Sequence, residues 1–273
     1  MKPNIQLLGI VNLTDDSYYA PSRAGSCEAF LARVGQMVAE GVDRVDIGAC
    51  STRPGSKPVG PDEDWRRLEP ALKALRREFP SLPVSIDTYW STVVERVYDG
   101  IGPFLVNDIS AGAYDPAMLP LVGRLGLPYV AMHLRGTPAS MQSLTEYPDG
   151  VTEEVLRYFR DFAVRAGEAG VTDWILDPGF GFAKTVDQNW TLLGELVRLQ
   201  VLGRPILVGI SRKSMIYKRF GITPQEALPA TQVAHYIALR RGATWLRVHD
   251  VAEARRTVSI YSRMYTSSPG AAK

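Results

Sequence analysis

The sequence predicts an α/β protein folded as one (β/α)8, or TIM, barrel. Three observations carry this reading. Eight short apolar runs recur along the chain, stretches long enough for a helix separate them, and each run carries a polar or charged residue at or near its end. A barrel of eight strand–helix units keeps its catalytic mouth at the C-terminal ends of its strands, so this pattern delivers polar groups to one place. The chain has 273 residues, which suits a barrel of about 250 residues and a large buried core.

The runs cover residues 6–14, 42–48, 84–88, 104–110, 129–134, 174–179, 206–211 and 245–250. Their ends supply, in order, Asn12, Asp46, Asp87, Asn107 with Asp108, His133, Asp177, Ser211, and Arg247 with His249. Continuous apolar, β-branched segments such as 206–210 fit strands buried on both faces. Helical spacing appears between them. Phe30, Leu31, Val34, Met37 and Val38 mark a helix over 28–40, and Trp65, Leu68, Leu72 and Leu75 mark one over 62–79. Residues 152–169 and 188–200 read the same way, and a further helix opens at Pro224 and Gln225 and runs through His235 to Arg240. Gly41, Gly100, Gly126, Gly170, Gly203 and Gly242 stand where helix C-caps are expected.

No linker or change of composition divides the chain, so one domain is expected over 1–265, with 266–273 a frayed C-terminal tail. Two βα-loops are long and polar, 15–26 after the first strand and 50–61 after the second, and are expected to act as mobile lids. The balance of 31 basic and 29 acidic residues, net +2, gives no reason to expect a nucleic-acid or acidic-membrane partner. Cys27 and Cys50 do not make a disulfide framework and fit a reducing compartment. The N-terminus lacks signal-peptide features, and no apolar stretch approaches the roughly 20 residues of a membrane span. A cytoplasmic protein acting on small molecules is expected.

Asp46, Asp87, Asn107 and Asp177 come from different strands and converge on the predicted mouth. A buried carboxylate can accept two adjacent N–H donors from a heterocycle with an amidine-like edge, each bond worth roughly 1.5–3 kcal/mol. One or two of these acids can instead be structural, Asp46 foremost. Arg53, Arg247 and His249 supply donors for an anion, Arg247 and His249 alternating along the last strand so that both face one side. Lys213 follows the seventh strand closely enough to enter the mouth, either as a Schiff-base amine or as a simple hydrogen-bond donor. The segment DPGFGFAK over 177–184 lacks both phosphate-loop fingerprints; it reads as a tight turn carrying Phe182 to the rim, with Phe180 in the rim or the core. Three histidines with no i, i+4 pair argue against zinc. Magnesium held by an amide or acid together with a phosphate is the better expectation, with Asn12 and Asp16 as ligands.

These elements resemble the dihydropteroate synthase family over nearly the whole chain. The resemblance rests on GIVNLTDDSYY (9–19), STRPG (51–55), SIDT (85–88), NDIS (107–110), MHLRGTPASMQ (132–142), DPGFGFAK (177–184), SRKS (211–214) and RVHDV (247–251), in the family's order. It implies a transferase that joins 6-hydroxymethyl-7,8-dihydropterin diphosphate to 4-aminobenzoate, with sulfonamides as mimics of the latter. By the same resemblance Asp87, Asn107, Asp177 and Lys213 would hold the pterin. Thr52, Arg53, Asn12, Arg247 and His249 would hold the diphosphate and its magnesium, and Pro54, Phe182, Lys213 and Ser214 would form the aminobenzoate pocket. Turnover would depend on Asn12, Asp87, Asp177, Lys213, Arg247 and His249. A homodimer through helices near the C-terminal third is also implied. The chain departs from the family in having Asp15 where a proline is usual, Cys50 before STRPG, and Ala20-Pro21-Ser22-Arg23 where a glycine pair is usual. A pterin-binding methyltransferase domain is the nearest rival, and it has no need of the phosphate-holding Arg53, Arg247 and His249. A non-catalytic pterin-binding paralogue would have no need to keep the full set.

Overall fold

The computed structural model describes residues 4–13, 24–49 and 59–266. Eight strands follow one another as β1 (Gln6–Asn12), β2 (Arg44–Gly48), β3 (Val84–Asp87), β4 (Leu105–Asp108), β5 (Tyr129–Met132), β6 (Trp174–Asp177), β7 (Leu207–Val208) and β8 (Trp245–Val248). They form one parallel sheet in the order β6-β5-β4-β3-β2-β1-β8-β7. A parallel bridge between Leu176 and Ile206 joins the two ends of that order. The barrel is thereby closed, as the apolar runs predict. Every strand but β2 stops short of the end of its run.

Nine helices are described: α1 (Ala24–Ala39), α2 (Pro61–Glu78), α3 (Ser91–Ile101), α4 (Met118–Leu125), α5 (Val151–Glu168), α6 (Val186–Gly194), α7 (Ser214–Phe220), α8 (Leu228–Arg240) and α9 (Val251–Thr266). α2 carries Asp62, Glu63 and Asp64 in its first turn and Arg76 and Arg77 in its last, matching the helix dipole at both ends. α6 opens on a reciprocal capping box between Thr185 and Gln188.

Three helix expectations need correction. The helix expected over 188–200 ends at Gly194, a poor helix former, and the chain tightens into a 3-10 segment over Leu196–Leu202. The helix expected from Pro224 starts instead at Leu228, which puts Pro229 in the first turn, where its missing N–H costs nothing. Gly100 lies inside α3, and Gly102, at φ 74°, takes the cap. α9 extends through Thr266; residues 267–273, where a frayed tail is expected, lie outside the described residues.

The register decides which side chains enter the barrel. Parallel partners share a face and successive residues alternate. Leu8 pairs with Arg247, Ile10 with Asp46, Asn12 with Gly48, Gly48 with Asp87, Asp87 with Asn107, Asn107 with Val130, and Met132 with Asp177. Leu8, Leu105, Val130, Ile175 and Leu207 fill the interior with Trp245 packed against them. The opposite parity, including Leu7, Val11, Ile47, Ile86, Val106, Ala131, Leu176 and Val248, joins the large core between sheet and helices. The polar strand-end residues Asp46, Asp87, Asn107, Asp177 and Arg247 thus lie on the inward face, above an apolar plug.

Candidate active site

The centre of the mouth is an ionic and amide cluster. Asp46 is 0% exposed, Asn107 5%, and Asp87 and Asp177 6%. Arg247 donates from Nε to Asp46 Oδ2 at 2.6 Å and from Nη2 to Asp87 Oδ2 at 2.7 Å. Asn107 Nδ2 donates to the two Asp46 oxygens at 3.3 and 3.1 Å. Asp46 thus meets both Arg247 and Asn107 and, among the described residues, takes more side-chain hydrogen bonds than Asp87 or Asp177. Burial pushes Asp87 up to about 7, against the pull of Arg247. Gly48 makes room for this carboxylate, since a Cβ there would lie 3.1 Å from Asp87 Cβ.

Across the mouth, β6 and β7 bring a second pair together. Asp177 Oδ1 accepts the Gly179 amide at 2.8 Å. Burial raises its pKa, opposed first by Lys213. A methyl placed on Gly209 would sit 3.9 Å from both Asp177 Oδ2 and Lys213 Nζ, so the two charges flank one small gap. Lys213 Nζ donates to the Phe180 carbonyl at 2.6 Å and lies 4.8 Å from the centroid of the Phe182 ring. Burial lowers this ammonium to about 8, with Asp177 resisting. Phe180 is fully buried in the core, while Phe182 is half-buried at the rim. Ser214 follows as the first residue of α7.

The β7 and β8 ends are tied to each other. Ser211 Oγ accepts the His249 amide at 3.3 Å and sits 3.1 Å from His249 Nδ1. A hydroxyl that accepts the amide can donate to Nδ1, which leaves the proton of a neutral ring on Nε2. Burial, aided by Arg247, lowers His249 to about 4, so the ring is neutral at neutral pH. Arg212 holds Asp250 with two bonds at 2.8 and 2.9 Å and donates to the carbonyls of Pro224 and Gln225. It does so from a left-handed backbone, φ 52°, which lets its neighbours Ser211 and Lys213 reach different loops.

Asp108 and His133 also end apolar runs, but strand parity turns both away from the mouth. Asp108 accepts from Ser110 N and Oγ, Gly112 N and Tyr129 Oη, a complete set of partners behind the sheet. His133 contacts the buried Lys184 ammonium at 2.9 Å. The sequence reading placed Ser211 at the end of its run without giving it a partner, and it gave no role to Arg212 or Lys184, although the motifs SRKS and DPGFGFAK contain all three.

Asn12 ends β1 opposite Gly48 at the inward face. Asp15, Asp16, Cys50, Thr52, Arg53 and Pro54 lie outside the described residues. Among the described residues no group of three or more His, Cys, Asp or Glu side chains could enclose a metal. The Asn12 amide oxygen at the end of β1 is a donor of the kind magnesium takes.

A barrel whose mouth holds buried inward carboxylates, a lysine and an arginine can receive a polar heterocycle, and the class is given by a family model described as pterin-binding enzyme, which matches residues 8–249. A dihydropteroate synthase from Synechocystis is 39% identical over 248 residues, covering 90% of this chain and 85% of the relative. The structure of Thermus thermophilus dihydropteroate synthase in complex with 4-aminobenzoate superposes with a TM-score of 0.85 at 39% identity, covering 96% of this chain and 95% of that one. Clostridium difficile dihydropteroate synthase in the presence of pteroic acid gives a TM-score of 0.90 at 32% identity, covering 97% and 98%. The chain belongs to the dihydropteroate synthase family and is a transferase of folate biosynthesis.

Proposed function

We propose that the inward layer of Asp87, Asn107, Asp177, Lys213, Arg247 and His249 joins 6-hydroxymethyl-7,8-dihydropterin diphosphate to 4-aminobenzoate, giving 7,8-dihydropteroate and diphosphate. The observation that carries this assignment is the convergence of Asp87 and Asn107 from one side and Asp177 and Lys213 from the other on one buried, inward-facing mouth. A pterin ring presents adjacent N–H donors, which Asp177 accepts, and ring acceptors, which Lys213 and Asn107 satisfy. Arg247 keeps Nε and Nη2 on the two aspartates, and Nη1, which makes no bond among the described residues, is its donor to the diphosphate. The neutral His249 ring donates from Nε2 to the same group. Thr52 and Arg53 complete the diphosphate site, and Pro54, Phe182, Lys213 and Ser214 form the aminobenzoate pocket.

Magnesium belongs to this reading. Asn12 and Asp16 would hold it against the diphosphate, where it neutralises charge on the leaving group. The bond between the pterin methylene carbon and the diphosphate oxygen breaks first, its electron pair leaving with the diphosphate. Buried carboxylates around the ring favour the cationic methylene left behind. The amine of aminobenzoate then forms the C–N bond and gives up its proton to solvent. No activated serine or cysteine is required.

A homodimer is also part of the reading, supported by exposed Val233 on α8 and Ile260 and Met264 on α9. A cytoplasmic location is supported by the free thiol of Cys27. Among the described residues no helix is long and apolar enough to cross a membrane. The deciding experiment measures diphosphate and dihydropteroate with both substrates and magnesium, omitting each in turn. Equal amounts of both products, needing both substrates, are expected. Pterin binding without product would replace this reading with a non-catalytic or methyl-transferring one.

A further inference from the structure

Behind the mouth lies a buried lysine amine that the reaction as described does not use; burial lowers it to about 7, with Asp177 resisting. Lys184 is only 4% exposed. Its Nζ contacts His133 Nδ1 at 2.9 Å, the Gly179 carbonyl at 3.0 Å and the Phe182 carbonyl at 3.0 Å. These three contacts match the three donors of an ammonium, and none of the acceptors is a carboxylate. A buried ammonium without a hydrogen-bonded counter-ion is costly, so its retention calls for a return elsewhere.

That return lies in the turn it grips. Gly179 and Phe182 belong to the turn between β6 and α6, which departs from ordinary backbone at Gly179 (φ 70°), Gly181 (φ 84°) and Ala183 (φ 51°). Gly179 directs its amide to Asp177 Oδ1, and Phe182 lies under the Lys213 ammonium. The turn is further fastened by Asn189, which accepts the Gly181 amide at 2.7 Å, and by Tyr147, which donates to the Ala183 carbonyl at 2.7 Å. The Phe182 amide also donates to the Gly179 carbonyl at 3.1 Å. Among the described residues, Lys184 is the side chain that bonds the carbonyls at both ends of that turn through one atom.

We propose that Lys184 is a positioning residue for both substrates: by drawing the Gly179 and Phe182 carbonyls onto one ammonium, it aims the Asp177 carboxylate at the pterin and sets the Phe182 ring beside the aminobenzoate pocket. This rests on the substrate assignment above. Lys184 touches neither substrate and acts through Asp177 and Phe182. Its charge also favours the ionised form of Asp177.

Lys184→Met keeps the apolar stem and removes all three donors. Calorimetric affinity for the dihydropterin diphosphate with magnesium should fall about 10- to 100-fold, the cost of a misplaced binding group, and the KM for aminobenzoate should rise with it. The same substitution in an Asp177→Asn background should cost less than about threefold in pterin affinity, since the group it positions is already impaired. A purely structural lysine would lower Tm and the active fraction, leave KM and affinity at wild-type values in the folded protein, and add independently to Asp177→Asn; that result overturns the proposal. Lys184→Gln, which keeps a donor for one carbonyl, should fall between wild type and methionine and serves if the methionine variant does not fold. Wild-type affinity in folded Lys184→Gln also overturns the proposal. A wild-type protein that binds no dihydropterin diphosphate overturns the substrate assignment and this inference together, whereas normal wild-type binding matched by the variants overturns this inference alone.

Discussion

Replacing Arg247 with methionine isolates the electrostatics at the centre of the mouth. The guanidinium lies 2.6 Å from Asp46 and 2.7 Å from Asp87, with side-chain exposures of 20%, 0% and 8% in that order. Methionine keeps much of the packing but leaves two buried carboxylates without the cation between them. Removing one partner of a buried ion pair costs about 3–5 kcal/mol. The full cost applies only where both acids are ionised. Burial already lifts Asp87 to about 7 in the presence of Arg247, and loss of that pull lifts it further. An acid raised in the folded state contributes stability at low pH that is lost as pH climbs through its folded pKa. Between about 7 and the higher value in the variant, the variant retains a proton that the wild type has released. Its stability therefore falls there by up to about 1.4 kcal/mol per pH unit while that of the wild type does not. Urea unfolding followed by circular dichroism should show a wild-type-to-variant gap that is larger near pH 8.5 than near pH 6. A gap independent of pH, or one under about 1 kcal/mol at the higher pH, would refute the coupling of these three groups.

Other substitutions test separate parts of the site. Asp177→Asn should weaken pterin binding by about 1.5–3 kcal/mol, roughly 10- to 150-fold, measured by calorimetry, because a charge-assisted acceptor is lost. Gly179→Ala would place a methyl 2.1 Å from the His133 carbonyl at φ 70°, so the β6 turn must move. Thermal melting should show a loss of about 3 kcal/mol or more, with pterin affinity falling alongside; a variant unchanged in both would contradict the geometry. Tyr129→Phe removes a 2.6 Å bond to Asp108 behind the sheet. It should cost about 1–3 kcal/mol in urea unfolding, while KM for both substrates stays at wild type.

The strands were legible because a parallel strand covered on both faces is a continuous apolar run, and parity then places every inward residue once register is known. Helices were less legible where they are short or interrupted. α4 spans eight residues that include Pro120 and Gly123, and α7 seven, too few turns for periodicity to declare itself. The candidate site divides along the same line. Asp87, Asn107, Asp177, Lys213 and Arg247 could be read from strand ends because the barrel gathers strand ends. Which partner each one takes could not. Arg247 meets Asp46 and Asp87 across the β8–β1–β2–β3 portion of the barrel, over sequence separations of 201 and 160 residues. Asp108 and His133 look like mouth residues in the sequence and are not, because each lies one residue out of phase with the inward face.

The barrel is closed unevenly. β7 is only two residues long, and its junction with β6 is a lone bridge at Leu176 and Ile206. This seam has fewer ladder pairs than any other junction among the described residues. Above it sit Asp177 on one lip and Lys213 on the other, and the reach of Lys213 to the Phe180 carbonyl stitches the lips together. On the proposed assignment, a pterin ring held between Asp177 and Lys213 would add a second stitch. Occupancy of the site and integrity of the cylinder would then be linked quantities, since a ligand that bridges both lips stabilises the closed cylinder in proportion to its affinity for it.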